Sequence, residues 1–201
     1  MSLMSHLFGR RRSQDPREFG TFLARQSAFI AQKTVYDYCR VKAGRDEVRL
    51  FNDPDFKAAL NHCRWQVYFS ALSDVAALAE AWLRPAVQGR EEALRSALVA
   101  WHEATLADQA VPPDEREAAE AARLALPGHL AGLQLDPPYP AHRLPLQAEA
   151  PLLATLPVHE DQRRGEGPAI RGALRFHIVS AQQDMERSFD REALARALTA
   201  G

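Results

Sequence analysis

Between Asp53 and Arg84 the apolar positions recur at helical spacing and leave almost no polar face. At about 100° per residue, Phe56, Leu60, Cys63, Val67, Ala71, Val75, Leu78 and Trp82 fall on one stripe. Trp65, Tyr68, Phe69, Leu72 and Leu83 fall on a second. The polar sector is confined to His62, Gln66, Ser70, Ser73 and Glu80. A helix that is apolar around most of its circumference is a buried one, so the pattern predicts a central helix over residues 53–84. Asp53 is a capping residue, Pro54 suits the first helical position, and Pro85 biases Arg84 away from helical angles. Asp74 breaks the pattern, because a carboxylate sits in the middle of the main apolar stripe.

The same reading predicts a first helix over 16–43, capped by Asp15, opened by Pro16 and stopped by Gly44. Phe19, Phe22, Leu23, Phe29 and Ile30 share its apolar face, and Gln26, Lys33, Asp37 and Arg40 continue that line in polar form. A third helix is expected over 90–109, with Leu94, Ala97, Leu98 and Trp101 inward. A last long helix is expected over 168–188, with Ile170, Leu174, His177, Ile178, Ala181 and Met185 on its stripe. Residues 114–126 read as an Ala-rich helix, peripheral or packed closely through its Ala face, that stops at Pro127-Gly128. A short terminal helix follows Asp190.

Eight of the 13 prolines lie between residues 127 and 168, a loop of a length that inside a compact domain is typically a lid, a binding loop or disordered. Its leucines predict a segment that wraps the bundle with one or two short helical turns. The charged stretch 159–167 is expected to be mobile. No stretch alternates with a strand's period. The predicted class is all-α: four main helices, a peripheral helix and a Pro-rich cross-connection. The domain reading is a flexible basic arm over 1–14 and one α-helical domain over 15–201.

Composition narrows the function classes without selecting one. Hydrophobic content of 46% and charged content of 25% are globular values. A net charge of -1 gives no general attraction to nucleic acid. No window approaches the ~20 apolar residues of a membrane span. A weak peripheral membrane contact through residues 3–12 remains as an alternative, with Leu3, Met4, Leu7 and Phe8 inserted beside Arg10, Arg11 and Arg12. Cys39 and Cys63, without CxxC spacing, fit reduced thiols and a cytoplasmic location.

Motifs for catalysis are missing. There is no HExxH, no paired Glu-x-x-His, no phosphate-binding Gly-rich loop and no G-x-S-x-G elbow. No metal or cofactor is expected. What remains is a set of polar residues on core-facing lines. Asp74, His177, Arg40, Arg64 and Asp37 are the candidate ligand-binding residues, since a buried carboxylate needs a partner or a proton. Tyr36, Tyr38, Trp65, Tyr68 and Phe69 are the candidate interface residues.

The expected function is therefore non-enzymatic, acting through contact with a protein partner or a second copy as an assembly or regulatory factor. The alternative is a ligand pocket inside the bundle lined by Asp74, His177 and Arg40. A weaker alternative is an acid–base enzyme using Asp74 and His177.

Overall fold

The computed structural model describes residues 12–200, and the protein is all-α. The weak membrane contact expected of residues 3–12 falls almost wholly outside the described residues. The helices are α1 (Pro16–Ala43), α2 (Glu47–Leu50), α3 (Pro54–Leu83), α4 (Glu91–Ala107), α5 (Arg116–Leu133), α6 (Glu149–Thr155), α7 (Gly167–Ser188) and α8 (Arg191–Leu198).

The helix starts follow local chemistry. The Asp15 carboxylate accepts from the Arg17 backbone N–H at 2.8 Å, and Asp53 accepts from that of Phe56 at 2.9 Å, each ahead of a proline. Asp190 does the same for Ala193. Gly44, at φ 52°, ends α1 in a conformation that a side chain disfavours. Phe51, in the short link after α2, packs its ring against Phe56 and Tyr36, stapling the entry to α3.

Helix α3 is the hub. It packs against α1, α4, α5, α6, α7 and α8, and its C-terminal half is buried on every side. Its most extensive partner is α1. Helix α4 approaches α1 at Gly20, whose carbonyl accepts from Trp101 Nε1 at 3.0 Å. A Cβ there would lie 3.1 Å from Trp101 Cδ1, so a larger residue would make the indole give way by a few tenths of an ångström.

Three parts of the sequence reading change. Helix α5 does not stop at Pro127 but runs through it to Leu133, and it is not peripheral. Leu126, Leu130 and Leu133 are buried between α3 and α4. Burying three leucines, at about 1.5–3 kcal/mol each, outweighs the ~3 kcal/mol cost of proline in a helix interior. Among the described residues there are thus five long helices, not four.

Residues 159–167 are tied down. Lys42 donates to the Gln162 carbonyl at 2.8 Å and pairs with Glu166, while the Tyr38 hydroxyl donates to Glu166 at 2.8 Å. Finally, the end of the predicted arm is held: Ser13 N–H donates to Ser188 O and Asp190 N–H to Ser13 O, both at 2.8 Å.

The Pro-rich connection carries α6 and two short 3₁₀ turns, Ala141–Arg143 and Glu160–Arg163. Leu144, Ala148, Leu152 and Leu156 are its buried contacts.

Candidate functional site

Asp74 is fully buried, and its partners are neither Arg40 nor His177. Its Oδ1 accepts from the Gln147 backbone N–H at 2.6 Å and its Oδ2 from that of Ala148 at 3.1 Å. These N–H groups stand at the start of α6, where backbone donors have no partner within the helix. The carboxylate therefore caps α6 from across the core. Burial pushes its pKa up to about 7, against the pull of the two N–H groups and of Arg175. Arg175, from α7, donates to the carbonyls of Ala141 and Leu144 and pairs with Glu149. Asp74 and Arg175 together fasten the cross-connection, one through its N–H groups and the other through its carbonyls.

Two further buried carboxylates tie α3 to its neighbours, here through side chains. Glu115, at the start of α5, accepts from Gln66 Nε2 and meets His62 Nδ1, both at 2.8 Å. Glu80 is fully buried beside Arg84, whose Nε lies 3.0 Å from Oε1, and Gln134 Nε2 donates to the same oxygen at 3.2 Å. Arg84 also donates to the Asp136 carbonyl at 2.7 Å. Glu80 Oε2 and Arg84 Nη2 have no hydrogen-bond partner among the described residues, and burial raises the Glu80 pKa against the attraction of Arg84. Of the polar sector of α3, Glu80 is the member that the segment following α5 covers, through Gln134.

The proposed trio of Asp74, His177 and Arg40 is not brought together. Arg40 is exposed and pairs with Glu47 at 2.7 Å. His177 lies in a groove of about 270 Å³ between α1 and α7, with Lys33, Asp37, Tyr38 and Val41. Of the sequence candidates, Asp37 and His177 do share this groove, and Asp37 forms an exposed ion pair with Lys33 at 2.7 Å. Burial lowers the His177 pKa, with Asp37 pulling the other way. No hydrogen bond joins His177 to Asp74, so the acid–base pairing has no geometry to act through.

The candidate interface residues also separate. Phe69 and Tyr68 are buried, at 2% and 7% exposure, as members of the hydrophobic core. Tyr36 packs on Phe51, and Tyr38 is bonded to Glu166. Trp65 is half-buried, with the Arg64 guanidinium over its ring, 5.6 Å from the centroid.

The exposed aromatic surface lies elsewhere. Phe29 is 48% exposed and Phe176 66%. Both rings meet His177 edge-on, at 5.7 and 5.6 Å. Periodicity had placed Phe29 on the inner face of α1, where α7 covers only part of it. The position of Phe176, off the Ile170–Leu174–Ile178 stripe, was the available signal.

Cys39 and Cys63 are buried free thiols, pushed up to about 12 and 11 by burial. Among the described residues, no three His, Cys, Asp or Glu side chains converge as a metal site, and no helix is long and apolar enough to cross a membrane. Comparison with protein-family models, with curated proteins and with solved structures finds no match to this chain.

Proposed function

We propose that this protein acts non-enzymatically, through protein–protein contact as an assembly or regulatory factor, and that the face between α1 and α7 makes the contact. The observation that carries the reading is the exposed aromatic run Phe29–His177–Phe176, continued through the groove to Val41, which is 79% exposed. Single apolar residues on a surface need no explanation, but a contiguous group of rings marks an interaction surface.

The partner we assign to it is a second copy of the chain. Lys33 and Asp37 border the groove four residues apart with opposite charges. A two-fold axis through such a patch sets each against its complement on the other copy.

The test is light scattering of the intact chain over a range of micromolar concentrations, alongside Phe176→Glu. A concentration-dependent dimer that Phe176→Glu converts to a folded monomer supports the reading. A wild-type monomer throughout that range, or a dimer that Phe176→Glu leaves unchanged, overturns it.

A further inference from the structure

On the opposite side of α1 from that groove, a cleft of about 190 Å³ opens between α1, α3 and the segment after α4. Ala28 and Gln32 line it from α1, Arg64, Trp65 and Tyr68 from α3, and Gln109 from the segment after α4. The Trp65 indole is held from behind by Phe69, stacked at 5.5 Å, and from the side by Tyr68, edge-on at 5.8 Å. It is thus a ring fixed in place. The Arg64 guanidinium stands over this ring and forms no ion pair among the described residues. The Tyr68 hydroxyl likewise has no hydrogen-bond partner among them.

We infer that this cleft is a binding site for a small planar carboxylate of about the size of benzoate. Three features select that class. The volume lies below the roughly 300–1,000 Å³ of sites for drug-sized ligands, so the ligand is small. The fixed Trp65 and Tyr68 rings beside Ala28 favour a flat apolar body that meets their edges, because aromatic rings also pack edge-on. One unpaired guanidinium, with no second cation lining the cleft, matches a singly charged carboxylate, which its planar fork can bind through two parallel hydrogen bonds. A dianionic phosphate would find only half its charge answered. The amides of Gln32 and Gln109 and the Tyr68 hydroxyl serve ring substituents. The inference does not depend on the α1/α7 face, which lies apart from these residues.

The experiment is a titration of the isotope-labelled full chain, followed through the Trp65 indole N–H and the Arg64 side-chain resonances. Benzoate is the probe, with benzamide (ring without charge) and acetate (charge without ring) as controls. Saturable shifts with benzoate, with both controls at least about tenfold weaker, are the expected result; tenfold corresponds to the loss of one charge-assisted hydrogen bond. Arg64→Gln and Ala28→Leu, the second filling the cleft from an exposed position, should each weaken benzoate about tenfold or more. Shifts that do not saturate overturn the assignment. So do acetate binding as tightly as benzoate, or unchanged benzoate affinity in folded Arg64→Gln and Ala28→Leu. The control ligands decide the matter on the wild-type chain even if a variant fails to fold.

Discussion

Asp74 Oδ1 lies 2.6 Å from the backbone nitrogen of Gln147, 73 residues further along the chain. With the second bond to Ala148, it holds the start of α6 against the middle of α3. The carboxylate is an anchor for the cross-connection, and removing it leaves two backbone donors without a partner. Each such group costs about 1–3 kcal/mol when buried. Asp74→Ala is therefore expected to destabilise the protein by about 2–6 kcal/mol. It should also release the amides of 147–156 to hydrogen exchange ahead of those in α1. Urea unfolding and exchange measured by mass spectrometry check both parts. Retained protection at Ala148 in Asp74→Ala would contradict the anchoring role.

His102 and Asp74 titrate in opposite senses. His102 is fully buried, neither ring nitrogen has a hydrogen-bond partner among the described residues, and burial lowers its pKa from 6.5 to about 4. Between those values the unfolded chain binds the extra proton, so this group adds stability as pH rises through that window. Its contribution is complete above 6.5 and is lost as pH falls through about 4. For Asp74, raised from 3.8 to about 7, the folded state holds the extra proton. Its contribution is present at low pH and is lost as pH rises through about 7.

Between pH 4 and 6.5 the two contributions offset each other. Replacing His102 with Gln should unmask the Asp74 slope, making stability fall from pH 4.5 to 6.5. The change in slope relative to wild type should approach, and not exceed, about 1.4 kcal/mol per pH unit, the limit for one proton. Denaturant unfolding at closely spaced pH values measures it.

Pro127 sits inside α5, where it removes a backbone donor and crowds the carbonyl four residues earlier. Pro127→Ala restores that donor at an exposed position. Despite the greater freedom it gives the unfolded chain, it should stabilise the protein by about 1–3 kcal/mol. Thermal unfolding gives the sign directly, and an unchanged or lower midpoint would show that the helix has relaxed around the ring.

The parts of the fold that follow from neighbouring residues were legible in the sequence. Asp15-Pro16, Asp53-Pro54 and Gly44 mark their helix ends through bonds that span two to four residues. The course of α5 was not legible, because the local signal of Pro127 opposes a distant gain: Leu126, Leu130 and Leu133 meeting α3 and α4. Asp74 stood out as a conflict, yet its partners are backbone N–H groups, which carry no side-chain signature. Phe29 obeys the periodicity of α1 and is still half exposed, since coverage depends on where α7 lies. Arg64 and Trp65 were each noted, for different reasons; only the fold shows that they border one cleft.

Glu115, Asp74 and Glu80 fasten α3 to segments 49, 73 and 54 residues away in sequence. Contacts across such separations close large loops, whose entropy must be met before the contact stabilises anything. Interactions missing from the transition state govern how fast a native chain opens and scarcely affect how fast it folds. Bonds of this kind that close after the transition state act as clocks, setting the lifetime of the closed structure without changing the pace at which it is reached.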